Sequence, residues 1–231
     1  MIRNVKKIIG YTLGTIDGKI GEVKDFYFDD KTRTIRYLIV ETGSLFFKRK
    51  VLISTQALVP SDWNKEILPV NLNIQQVENS PEIDIEKPVS RQQEMELNKH
   101  YSWKDYRTED FNVGSINNDD QHLRSFEEVI NYKVKANNGE VGKINDFLID
   151  DTTWEINFIV VDALLTPPAK FVPVLSKLIK EIQWENATIL IDSTVEKIKN
   201  SPQYFTDEPI DEAYVESVYN YYGIPLLQKQ Y

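Results

Sequence analysis

Cysteine is absent from the 231 residues. That excludes disulfide frameworks, thiolate nucleophiles, thiolate-bound zinc and iron–sulfur clusters. Histidine is scarce as well: only His100 and His122 are present, which argues against a multi-histidine metal centre within one chain. Positive charge is in deficit, with 27 Lys and Arg against 36 Asp and Glu and a formal net charge of −9. A phosphate-backbone binder needs a basic face, so the balance argues against a nucleic-acid partner. No apolar run approaches the ~18–20 residues of a membrane-spanning helix. The longest, Phe158 to Leu165, is broken by Asp162. The opening Met-Ile-Arg-Asn-Val-Lys-Lys has no signal-peptide hydrophobic region. The nucleophile elbow G-x-S-x-G, the zinc motif H-E-x-x-H and the phosphate loop are missing too. What remains, 41% hydrophobic and 27% charged residues, suits a folded soluble protein. The expectation is an acidic, cytoplasmic, non-enzymatic protein with no cofactor and no metal.

An internal repeat organises the chain. Placing Gly18 over Gly139, an offset of 121 residues, also pairs Tyr11 with Tyr132 and Gly21 with Gly142 without a gap. The same offset pairs Asp25-Phe26 with Asp146-Phe147 and Asp29-Asp30 with Asp150-Asp151. It continues through Val40/Val161, Val51/Val172 and Trp63/Trp184 to Asn79-Ser80-Pro81 over Asn200-Ser201-Pro202. A period this long means two copies of one domain rather than a solenoid.

Each copy reads as a small all-β domain. Asp17-Gly18 and Asn138-Gly139 are hairpin-turn dipeptides, in which glycine or asparagine would supply positive φ. Strands are expected near 22–28 and 143–149, then polar turns at 29–34 and 150–155. The most apolar strands follow, 35–41 and 156–162, where Leu38-Ile39-Val40 and Ile159-Val160-Val161 suit burial on both faces. Further strands fall near 51–53 and 171–174, and the last near 67–72 and 188–192, with Pro69 at an edge or bulge. A helix follows each copy. Ser90 and Gln93 make a capping box ahead of Met95, Leu97 and Tyr101. Asp211 caps the second helix, Val215, Val218, Tyr219 and Tyr222 form its apolar stripe, and Gly223 and Pro225 stop it. The polar stretch from Asp105 to Asp120 reads as a linker.

The string Asn138-Gly-Glu-Val-Gly-Lys-Ile-Asn-Asp-Phe-Leu-Ile-Asp-Asp151, followed by Trp154-Glu-Ile-Asn-Phe-Ile-Val-Val-Asp162, resembles a PRC-barrel domain. The first copy, Asp17-Gly-Lys-Ile-Gly-Glu-Val-Lys-Asp-Phe26 with Ile35–Val40, is similar. So are Asn200-Ser201-Pro202 and the helix that ends in Tyr221-Tyr222-Gly223. Bacterial proteins with two such barrels in tandem have this arrangement. The resemblance implies a mostly β chain of two small barrels, each followed by a C-terminal helix: barrel 1 over 1–85, helix and linker over 86–124, barrel 2 over 125–206, and a helix and tail over 207–231. It implies an adaptor rather than an enzyme. PRC-barrels occur in the photosynthetic reaction-centre H subunit and in a ribosome-maturation factor. The H-subunit transmembrane helix and the maturation factor's separate N-terminal barrel have no counterpart here, and no functional residue is carried over from either.

Several features have both a plain and a sharp reading. The aspartate pairs Asp29-Asp30 and Asp150-Asp151 have the composition of calcium ligands or of an acid/base pair. Their place between two strands in both copies favours a turn. Gly18, Gly21, Gly139 and Gly142 lead into strands rather than helices, so a hairpin and bulge fit better than a phosphate cradle. Trp63 and Trp184 are matched and read as barrel-end residues. The candidate interaction surface consists of the unmatched Trp103 and Trp154, of Tyr214 and Tyr221 off the helix stripe, and of Phe46 and Phe47 beside Lys48-Arg49-Lys50. That basic triplet leaves peripheral membrane association open. The leading expectation is an adaptor for a protein partner of unknown identity, with a homo-oligomer as one form. The alternatives are a small-molecule or metal-ion module and a reaction-centre H-like assembly factor.

Overall fold

The runs Leu38–Val40 and Ile159–Val161 are each no more than 2% exposed, and a strand so covered lies at the centre of its sheet. The computed structural model describes residues 1–44, 47–60, 62–81, 91–105, 123–164, 169–206 and 210–226. Its strands are β1 (Ile2–Asn4), β2 (Thr12–Thr15), β3 (Gly18–Asp29), β4 (Thr34–Ser44), β5 (Phe47–Ser54), β6 (Ile67–Pro69), β7 (Leu123–Ser125), β8 (Lys133–Ala136), β9 (Gly139–Asp150), β10 (Ile156–Asp162), β11 (Phe171–Leu175), β12 (Ile179–Gln183) and β13 (Thr188–Ile191). Its helices are α1 (Val5–Ile8), α2 (Ile74–Glu78), α3 (Arg91–Tyr101), α4 (Phe126–Val129), α5 (Val195–Lys199) and α6 (Glu212–Tyr222). The expected caps at Ser90, the linker from 106 onward, His122 and Phe46 lie outside the described residues.

The chain divides into two compact units. Ile8–Glu127 form one, here the N-proximal unit; Met1–Lys7 with Glu128–Tyr231 form the other, the C-proximal unit. The boundaries therefore fall at 7/8 and 127/128, and the first seven residues group with the second half of the sequence. Each unit has its own sheet. The N-proximal order is β5-β4-β3-β2-β6, with β7 added to β3. The C-proximal order is β11-β10-β9-β8-β13-β12, with β1 added to β9. Within each, the long strands pair antiparallel, while β2–β6 and β8–β13 are parallel.

Closed barrels are not found among the described residues. Each strand order is a path with two ends, and those ends are joined by chain rather than by a ladder. In the C-proximal unit β11 runs through a 3-10 turn at Ser176–Leu178 directly into β12. In the N-proximal unit β5 runs through a 3-10 turn at Thr55–Ala57, after which Leu58 makes one antiparallel bridge to Val70. The Ser54 side chain accepts from the Gln56 amide at that corner, which fixes the bend where a ladder would otherwise continue.

Every element from β1 to α3 has a counterpart 121 residues later. The match extends beyond Pro81/Pro202, because α3 and α6 are each 11 residues long and keep the same offset. Left-handed residues recur with it: Gly10 and Asn131, Arg33 and Trp154, Glu66 and Ala187, Ser102 and Gly223. The turn dipeptides meet the expectation only in part. Positive φ is found at Gly139 (158°) but not at Asp17, Gly18 or Asn138; the Asp17 and Asn138 side chains instead accept the first amides of later helices, Ile74 N at 2.9 Å and Val195 N at 2.8 Å. The close approach belongs to the second glycine of each pair. A Cβ on Gly21 would lie 2.6 Å from the Glu41 carbonyl oxygen, and one on Gly142 1.9 Å from that of Asp162.

Candidate functional site

The three-residue strands β1 and β7 carry no alternating pattern and were not expected, yet each completes a sheet far from it in sequence. Ile2, Arg3 and Asn4 pair with Asp150, Ile149 and Leu148. Leu123, Arg124 and Ser125 pair with Asp29, Phe28 and Tyr27. The strands are matched positions in the 121-residue register, so each unit holds the strand that stands beside the other unit's sequence. Side chains hold them. Arg3 Nε donates to Asp151 at 3.0 Å, and the matched Arg124 lies 3.9 Å from Asp30. Asn4 donates from its amide to the buried Tyr204 hydroxyl at 2.9 Å.

A carboxylate lies under each of these segments. Asp25 and Asp146 are 5% and 3% exposed. Asp146 accepts the Lys6 amide at 3.1 Å, the second amide of α1, and Asp25 accepts the Glu127 amide at 3.0 Å, the second amide of α4. Each carboxylate therefore caps a four-residue helix that follows the added strand. Ser125 also donates its hydroxyl to Asp25. Burial pushes the Asp146 carboxyl up to about 6, against the pull of the Lys6 and Phe147 amides and the Lys6 and Lys7 charges. Burial also raises Asp25, opposed by the Ser125 hydroxyl and the Phe26 and Glu127 amides. Groups so enclosed act as anchors for backbone, and the repeat of Asp25 at Asp146 is the sequence signal that points to them.

The paired aspartates, Asp29 buried and Asp30, Asp150 and Asp151 half-buried, divide the work. Asp29 accepts from the Lys31 and Thr32 amides, and Asp150 from the Thr152 and Thr153 amides, all at 2.9 Å. Those are Asx turns. Asp30 and Asp151 face the arginines of the added strands. Among the described residues no three His, Asp or Glu side chains converge as metal ligands do. The matched tryptophans each pack on the matched tyrosine, Trp63 on Tyr11 with centroids 6.2 Å apart and Trp184 on Tyr132 at 6.0 Å.

The candidate interaction residues fall in different settings. Phe47 is 81% exposed at the start of β5. Trp103 is half-buried and stacks on Tyr101, with centroids 4.1 Å apart and planes at 16°. Trp154 is in the core, at a left-handed turn position with φ 59°. The Tyr214 hydroxyl donates to the Gln203 carbonyl at 3.2 Å and that of Tyr221 to the Lys197 carbonyl at 2.7 Å. Of the basic triplet beside Phe47, Lys48 pairs with Glu41 at 2.8 Å and Arg49 donates to the carbonyls of Glu78 and Ser80.

The helices differ in what they bury. On α6, Val215, Val218, Tyr219 and Tyr222 cluster with Leu148, Phe158, Val160 and Leu175. Among the described side chains of α3 the buried ones are Glu94, Leu97, Asn98 and Tyr101, while Met95, expected in the stripe, is 58% exposed. Tyr37 donates its hydroxyl to Glu94 at 3.3 Å. Burial pushes the Tyr101 hydroxyl up to about 12, and that of Tyr222 as well.

Comparison with protein families finds a PRC-barrel domain at residues 2–70. The matched stretch runs from β1 through β6, so it includes the strand that the structure places on β9. Comparison with curated proteins gives no match. Among the described residues no helix is long and apolar enough to cross a membrane.

Proposed function

We propose that this chain is a non-enzymatic adaptor built from two PRC-barrel modules, the second lying within 125–206. One observation carries the reading: each element of the matched 2–70 stretch recurs 121 residues on, down to the buried aspartate and the left-handed turn residues. The recurrence ties the second half to the first, and among the described residues neither half brings metal-ligating side chains together. Side chains that chemistry would need are committed to structure: Asp25 and Asp146 to backbone amides, Asp29 and Asp150 to turns. What the sheets offer outward is contact surface, with Phe47 the most exposed aromatic among the described residues.

A cysteine-free chain allows a clean test. Phe47→Cys carrying a photo-crosslinker, in native extract, is expected to give a discrete product that excess unlabelled protein competes away. The reading is overturned if no competed product forms there or at Phe205→Cys, a second exposed phenylalanine at 50%, and light scattering shows only monomer.

A further inference from the structure

The matched layers under α3 and α6 differ in polarity. The C-proximal layer of Leu148, Phe158, Val160, Leu175, Val215, Val218, Tyr219 and Tyr222 corresponds, 121 residues earlier, to Tyr27, Tyr37, Ile39, Ser54, Glu94, Leu97, Asn98 and Tyr101. All of the latter are buried as well. Five of these eight pairs exchange an apolar side chain or a ring for a more polar group: Leu148/Tyr27, Phe158/Tyr37, Leu175/Ser54, Val215/Glu94 and Tyr219/Asn98. Tyr219 meets Phe158 edge to face, with centroids 5.7 Å apart. Its counterpart Asn98 is 8% exposed, and among the described residues neither polar atom of its side-chain amide has a hydrogen-bonding partner. Seating α3 therefore buries Leu97 and Tyr101 but strips the Asn98 amide of water with no hydrogen bond in return among the described residues, whereas the matched position on α6 buries the Tyr219 ring against Phe158. The C-terminal ends differ in the same direction. The left-handed residue after α6 is Gly223, and after α3 it is Ser102 at φ 59°.

We propose that α3 is a releasable cover on the N-proximal sheet, and that the face it vacates receives a helix from a protein partner. That helix keeps a hydrogen-bond acceptor opposite the Tyr37 hydroxyl, as Glu94 does, and sets an apolar or aromatic side chain where Asn98 sits, as Tyr219 does on α6. The inference rests on the adaptor reading and names its gated surface; α3 stands in for the partner imperfectly, which is what makes it displaceable.

Hydrogen exchange on the full chain tests it. Amides of α3 are expected to exchange at least ~100-fold faster than the matched amides of α6, as a locally opening element does. Asn98→Leu, and separately the triple change Tyr37→Phe, Glu94→Val, Asn98→Tyr, are expected to slow α3 exchange ~10-fold or more. A synthetic 91–101 peptide carrying Tyr in place of Asn98, added in excess, is expected to speed exchange of the chain's own α3 by competing for its seat. Equal protection of α3 and α6, or no slowing in Asn98→Leu, overturns release. A peptide without effect on α3 overturns the stated occupant. Neither result touches the Phe47 crosslink, and loss of that crosslink leaves the α3 exchange rates as they are.

Discussion

Asp146 holds its proton more tightly in the fold than in the unfolded chain, where its ordinary value is 3.8, because burial pushes it up to about 6. Its contribution to stability is therefore full below about pH 4 and is lost as pH rises through about 6. Two pKa units correspond to about 3 kcal/mol at most. Asp146→Asn keeps an oxygen for the Lys6 amide and removes the buried charge. Urea midpoints measured from pH 4 to 8 should fall with rising pH in the native protein and stay flatter in the variant. Gly142 is the second sensitive residue. A methyl group there would meet the Asp162 carbonyl oxygen at 1.9 Å, which only a shift of β9 against β10 relieves. Gly142→Ala should lower stability by about 2–3 kcal/mol, read from denaturant unfolding.

At the scale of elements, α6 was legible residue by residue: its cap Asp211 accepts the Tyr214 amide at 2.7 Å, its stripe is buried, and Gly223 ends it at φ 74°. The long strands were legible because aliphatic runs mark central strands. The buried face of α3 was not, because Glu94 and Asn98 take places that hydrophobic periodicity assigns to apolar residues; the stripe read through Met95 instead. Strands β1 and β7 were invisible for another reason. Three residues have no period, and their sheet partners lie 94 to 148 positions off, beyond what local pattern records. The matched C-terminal ends of the two helices allow a prediction. Ser102→Gly removes a side chain from a left-handed position and should stabilise the end of α3 by roughly 0.5–1 kcal/mol. Thermal unfolding of the variant should rise slightly, with no change in α6 exchange.

At the scale of the whole chain, the sheets are assembled across the sequence rather than along it. A domain boundary drawn from the repeat alone assigns residues 1–7 to the first copy, yet they belong to the unit of Glu128–Tyr231. Removing Met1–Lys7 should therefore damage residues more than a hundred positions away. Asp146 would lose its Lys6 donor, Asp151 its Arg3 partner, Tyr204 its bond from Asn4, and Leu148–Asp150 the ladder to β1. Hydrogen exchange on the truncated chain should show faster exchange across β9 and near Tyr204. Strands β2 to β6, close to the cut in sequence, should keep their protection, because β7 and the Glu127 amide still complete β3 and hold Asp25. Faster exchange in β2 to β6 with β9 unchanged would mean that the strands are paired along the sequence after all.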